Sequence, residues 1–160
     1  MWSQYGDNSK GFCILLDKQK LTEKLQEYAV KPEYLMHEKI KYLAWLAIVE
    51  GGQEITHGDG IELSKIDIFS TINANEMLKS IFFKKSIDWS GEEEYRWLLF
   101  NETSSDIFIQ IHDVIKGVVL GCEFPDNQIS QVQAYCKDLM CPCYLLSYQH
   151  PKYKLMKISV

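Results

Sequence analysis

The spacing of apolar residues changes several times along the chain, and each change marks an element. Residues 11–16 form a short apolar run entered through Gly11 and closed by Asp17, the pattern of a buried strand. Leu21, Leu25 and Tyr28 then recur at helical spacing, and Lys31-Pro32 stops that helix. Residues 39–49 fit two templates: Ile40, Tyr42 and Ala44 alternate as in a strand, while Leu43, Leu46 and Ala47 suit a helix. The start of that stretch reads as strand and the rest stays open. Gly51-Gly52 and His57-Gly58-Asp59-Gly60 punctuate a surface loop. Ile66, Phe69, Ile72, Met77 and Ile81 mark one face of an amphipathic helix. Strands follow at about 94–100, 106–111 and 117–120. Pro125-Asp126 opens another helix, with Asp126 as its N-cap and Ile129, Val132 and Cys136 on one face. Two short strands, about 143–148 and 153–158, close the chain.

The sum is an α+β layout, with a mixed, mainly antiparallel sheet and about three helices. No repeat, low-complexity segment or long linker interrupts it. A chain of 160 residues is then expected to form a single domain, 1–160, with a real core.

Charge narrows the functional classes. Seventeen Lys and Arg against 22 Asp and Glu give a net charge of −5, and the lysines are scattered. Non-specific nucleic-acid binding is disfavoured, since it rests on a basic excess or stripe. The longest apolar stretch, 42–49, is too short to span a bilayer. The first residues lack the basic start and apolar run of a signal peptide, and the five cysteines are an odd number. Free thiols in a reducing cytoplasm are the simplest expectation.

The most unusual segment is Trp89-Ser90-Gly91-Glu92-Glu93-Glu94-Tyr95-Arg96-Trp97. On a strand, Glu92, Glu94 and Arg96 share one face, while Tyr95, Trp97 and Leu99 share the other. Such a row is either an Arg96–carboxylate salt bridge on a solvated face or a site for a polar ligand. A carboxylate can orient a ribose hydroxyl or stabilise developing positive charge, and an arginine can grip phosphate bidentately. A second cluster is Trp2-Ser3-Gln4-Tyr5, where Ser3 and Tyr5 can donate hydrogen bonds. Gly11, entering the first strand, allows either close backbone approach to a ligand or a plain turn.

These stretches carry a resemblance. Trp2-Ser3-Gln4-Tyr5, followed by Gly11-Phe12-Cys13, resembles the W-S-x-Y…G-[FIV]-C hallmark of the bacterial domain-of-unknown-function family 2971. Lys85, Trp89, Glu92, Glu94 and Arg96 are similar to its K-x-x-x-W-x-x-E-x-E-x-R signature, and Val118-Val119-Leu120-Gly121 to its later strand. Members usually begin with a further N-terminal region, so the chain is expected to correspond to the C-terminal part. The family often has His at the position of Gln4 and Gly at that of Leu15.

The family's pattern is distantly similar to that of ADP-ribosyltransferases, a fold-level analogy that implies a partial fold of that type and NAD as a substrate. On that implication Ser3 and Tyr5 contact the nicotinamide ribose, and Trp2 or Trp89 stacks or shapes the pocket. Glu94 binds the ribose hydroxyl and stabilises the oxocarbenium-like transition state, Glu92 positions the acceptor, and Arg96 holds Glu94 or a phosphate. The alternative is a non-catalytic interaction module, or a truncated remnant that pairs with itself as a homodimer or with a partner chain.

Metal is not expected. Cys136, Cys141, Cys143 and His150 lie close in sequence, but Cys141-Pro142-Cys143 is too tight for a zinc knuckle. Buried thiols suit them better. His57, Asp59, His112 and Asp113 belong to no complete ligand set and read as solvated loop residues.

Overall fold

The computed structural model describes residues 2, 5–44, 74–100, 106–150 and 152–159. The fold is α+β, with mixed, mostly antiparallel sheets. The chain divides into two compact units, one made of Met1–Tyr28 with Ser104–Val160 and the other of Ala29–Thr103.

In the first unit, β1 (Phe12–Leu16), β6 (Ile115–Leu120), β7 (Cys143–Gln149) and β8 (Lys152–Ile158) form a four-stranded sheet in the order β1-β6-β7-β8. β1 runs antiparallel to β6, β6 parallel to β7, and β7 antiparallel to β8. The parallel pair needs a crossover, which α3 (Asp126–Asp138) supplies. Its Cys136 packs with Val118, Leu120, Phe124, Cys141 and Cys143, flanked by Ile129, Val132 and Leu145. Each fully buried aliphatic side chain there contributes about 1.5–3 kcal/mol relative to exposure. Another helix, α1 (Lys18–Tyr28), starts at Asp17, whose Oδ1 accepts the backbone N–H groups of Gln19 and Lys20 at 3.1 Å each. The Lys20 N–H in particular holds the Asp17 carboxyl below its ordinary range.

Three expectations need correction here. β1 forms where expected but is not buried: Phe12 is 56% exposed, and Ile14 and Leu16 are also exposed. It lies at the sheet's edge, and α3 packs over β6 and β7 instead. Residues 106–111 form no strand despite the alternation of Ile107, Ile109 and Ile111, and lead into a 3-10 turn, His112–Val114. At α3, Pro125 holds the N-cap position and makes no side-chain cap, so Asp126 is a first-turn acid rather than the cap. The helix expected around Met77 and Ile81 is present as Ala74–Phe82, and its earlier marks at 66–72 lie outside the described residues.

The end of α3 is set by backbone geometry. Met140 adopts a left-handed conformation with φ 51°, its N–H donates to the Lys137 carbonyl, and the Cys141 N–H donates to the Cys136 carbonyl at 2.9 Å. That pair of bonds is a Schellman stop. It folds Cys141 back towards Cys136, which is why thiols separated in sequence share one core.

In the second unit, β2 (Leu35–Lys39) pairs antiparallel with β5 (Tyr95–Leu99), and β3 (Lys41–Leu43) pairs parallel with β4 (Lys84–Ser86). The strand expected at the start of 39–49 is therefore present as β3, while 45–49 lie outside the described residues. α2 (Ala74–Phe82) leads through Phe83 into β4. Ile40 separates β2 from β3: its N–H donates to the Glu94 carbonyl, and the next N–H, of Lys41, donates to the Phe83 carbonyl, each at 2.9 Å. Among the described residues of this unit, Tyr34, Leu35, Ile40, Leu78 and Phe83 are buried.

Candidate functional site

The charged row does not lie on one continuous strand. Ile87–Glu92 is a 3-10 helix whose N-cap Ser86 accepts the Asp88 N–H, and Glu93 exits it with a left-handed φ of 49°. The strand begins at Tyr95. Glu92 is thereby turned off the face that simple alternation assigns to it, but it still converges with Glu94 on a shared cation. Lys85 Nζ, from β4, reaches Glu92 Oε2 at 2.5 Å and Glu94 Oε2 at 3.4 Å. Arg96 grips Glu94 Oε1 with Nε and Nη2 at 2.7 Å each, and its Nη1 donates to the Phe82 carbonyl at the end of α2. The expected Arg96–carboxylate pair thus exists, and it also caps a helix C-terminus.

Glu94 is fixed along its backbone as well. Its N–H donates to the Tyr42 hydroxyl and its carbonyl accepts from Ile40, each at 2.9 Å. Lys85 lies opposite Tyr42 in the parallel β3–β4 register and sits 5.2 Å from the centre of the Trp89 ring, which is itself exposed. The Glu92 side chain is only 10% exposed, whereas those of Lys85, Glu94 and Arg96 are nearly a third exposed. The hydrogen bond from Lys85 to Glu92, followed by the attraction of both carboxylates, raises the Lys85 ammonium above its ordinary value.

Residual hydrogen-bonding capacity follows from this geometry. A carboxylate offers roughly four lone-pair directions, and Glu94 uses two at Oε1 and one at Oε2. Arg96 uses three of its roughly five N–H donors on Glu94 and the Phe82 carbonyl. Across β2–β5 the residue opposite Arg96 is Glu38, whose Oε1 is buried with no hydrogen-bond partner. An open cavity of about 270 Å³ is lined by Glu38 together with Leu35, His37, Lys79 and Phe83. On the other face of β5, His37 Nδ1 and the Tyr95 hydroxyl lie 2.7 Å apart, and the Tyr95 and Trp97 rings 4.6 Å apart. Glu38 and Tyr42 were not recognisable as site residues from sequence. The β2–β5 and β3–β4 registers that bring them here are long-range pairings with no local signal.

Trp2, Tyr5 and Gly11 belong to the first unit, whereas Trp89, Glu92, Glu94 and Arg96 belong to the second. Ser3 lies outside the described residues. The described part of this segment, Trp2 and residues 5–11, forms a loop tied by backbone bonds: Ser9 N–H donates to the Trp2 carbonyl at 3.2 Å and Gly11 N–H to the Gly6 carbonyl at 2.9 Å. Asp7, Asn8 and Ser9 have positive φ in succession, at 45°, 53° and 69°. Gly6 lies against Trp2, where a Cβ would come within 2.9 Å of the indole. The loop is anchored to the end of β6, since Gly121 N–H donates to the Gly11 carbonyl and Glu123 N–H to the Ser9 carbonyl, each at 3.0 Å. Tyr5 is largely exposed.

Among the described residues, no group of three or more His, Cys, Asp and Glu is arranged to hold a metal ion. Cys136, Cys141 and Cys143 are buried free thiols, and burial pushes all three above the ordinary thiol value. His57 and Asp59 lie outside the described residues. Among the described residues, no helix is long and apolar enough to cross a membrane.

Comparison with known protein families gives a match. The model of a family described as a protein of unknown function, DUF2971, fits residues 1–97. That span holds both the Trp2–Gly11 loop and the Lys85–Arg96 network, while Gly121 lies beyond it. Neither a curated protein nor a solved structure matches. With the family model covering more than half of its length, the chain belongs to the DUF2971 family.

Proposed function

We propose that the Lys85–Glu92–Glu94–Arg96 network is the binding site for a nucleotide-like ligand, with NAD or ADP-ribose as its specific form. The observation that carries this reading is Glu94, pinned by backbone bonds to Tyr42 and Ile40, flanked by two cations, and left with an open acceptor direction on Oε2. A ribose hydroxyl donates to that oxygen. The unused N–H groups of Arg96 take a phosphate oxygen, a geometry that a guanidinium suits better than an ammonium. The exposed Trp89 ring offers an apolar surface to a base.

The chemical extension is ADP-ribosyl transfer. Here Glu94 would stabilise the oxocarbenium-like carbon as the nicotinamide bond breaks, with Glu92 placed to position the acceptor. A second reading, binding without catalysis, is favoured by Glu92, which is nearly buried and tied to Lys85 at 2.5 Å. Isothermal titration separates ligand binding from transfer when paired with a nicotinamide-release assay. Binding of both NAD and ADP-ribose without nicotinamide release supports the second reading. Release that is lost in Glu94→Gln supports transfer, and failure of both ligands to bind removes the nucleotide assignment.

A further inference from the structure

The edge of the first unit's sheet carries a separate inference. β8 is seven residues long and bonded on one side to β7, and among the described residues no strand pairs with its outer edge. Tyr153, Leu155 and Met156 are all exposed on it. A long edge strand with exposed apolar residues is a template for strand pairing. Lysines at 152, 154 and 157 interrupt it, and they restrict which pairings are compatible.

We propose that β8 pairs antiparallel with β8 of a second copy about a two-fold axis at Leu155, joining two sheets into one. The order of residues along β8 is compatible with a second copy in one register. Such an axis runs perpendicular to the sheet and passes midway between one residue and the same residue of the other copy. An axis at Lys154 or Lys157 sets that lysine against itself, and one at Tyr153 sets Lys152 against Lys154. An axis at Met156 leaves Lys152 and Tyr153 without partners inside the strand. With the axis at Leu155, all seven residues from Lys152 to Ile158 pair and no lysine stands opposite a lysine. Leu155 then faces Leu155, Tyr153 faces Lys157, Lys154 faces Met156 and Lys152 faces Ile158.

The apolar contacts continue across the junction. Within one copy Leu155 is opposite Leu146, which is buried, and Tyr153 is opposite Tyr148 with ring centroids 5.0 Å apart. Pairing at Leu155 extends the first into a row of four leucines and places the Lys157 stem of one copy beside the Tyr153 ring of the other. The axis keeps α3 of both copies on the same side of the joined sheet.

Light scattering on the whole chain measures the mass directly, and the expected value is twice the chain's 18.6 kDa. Leu155→Lys places like charges opposite each other at the axis, so the mass falls by half while the far-ultraviolet spectrum is unchanged. A second measurement does not depend on that variant folding. In a Cys13→Ser, Cys122→Ser background, oxidation with copper phenanthroline joins Leu155→Cys chains into covalent dimers, whereas Lys154→Cys, facing Met156, gives few. The proposal is overturned by a wild-type mass of one chain, by a dimer that persists in Leu155→Lys, or by cross-linking through Lys154→Cys in preference to Leu155→Cys.

Discussion

Replacing Gly121 by alanine tests how the loop of residues 5–11 is seated. A Cβ at this position would fall 1.9 Å from the Ser9 carbonyl oxygen and 2.5 Å from the carbonyl carbon. Both neighbours are backbone, so no side-chain rotation relieves the clash. Ser9 cannot simply retreat, because its carbonyl accepts the Glu123 N–H and its own N–H donates to Trp2. Displacing the loop by about 1 Å strains the β6 end as an overpacked core does, at about 1–3 kcal/mol. It also weakens the bonds from Gly121 to Gly11 and from Glu123 to Ser9, each worth roughly 1 kcal/mol. The combined loss is about 2–4 kcal/mol, which for a chain of this length lowers Tm by roughly 5–15 °C. Thermal unfolding followed by circular dichroism reads it. Gly91→Ala is the matched control, since nothing lies within 4 Å of its added Cβ, and it should change stability by less than about 0.5 kcal/mol. A Gly121→Ala protein that melts with the wild type would refute this account of the loop.

Other outcomes are open to direct measurement. Met140→Gly relieves the left-handed strain at the end of α3 and should raise stability by about 0.5–1 kcal/mol, read as a higher denaturation midpoint. Arg96→Lys loses the two-pronged grip on Glu94 and cannot also reach the Phe82 carbonyl; with these groups part-exposed the loss is about 1–2 kcal/mol, read by urea unfolding. Burial raises the Cys136, Cys141 and Cys143 thiols above 9.0, so the unfolded chain ionises first as pH rises. Their contribution is therefore complete below pH 9.0 and is lost as pH rises through the folded values; a melting temperature that does not fall over this alkaline range contradicts it. A thiol reagent at neutral pH should modify Cys13 rapidly and leave these three untouched until unfolding.

The sequence exposed local structure better than coverage. The helices Lys18–Tyr28 and Asp126–Asp138 and both closing strands were readable because apolar period and stop residues are local signals. Burial of β1 was not, since an apolar run does not say whether a helix will cover it. Residues 106–111 alternate like a strand, but alternation does not supply a partner strand. The charged row was recognisable as a cluster around Arg96, whereas its geometry depends on the left-handed Glu93 and on Lys85 arriving from β4. Gly121 resembled a motif residue in sequence, and only the approach of the Ser9 carbonyl gives the reason for it.

If Glu94 and its two cations hold a ligand, a thermal-shift comparison of wild type with Glu94→Gln will show it. NAD and ADP-ribose should raise the wild-type midpoint, because a ligand stabilises the state it binds. The shift should shrink or vanish in Glu94→Gln, with ribose-free pyrophosphate giving little effect in either protein. Equal shifts in both proteins, or none with any nucleotide, would contradict the assignment.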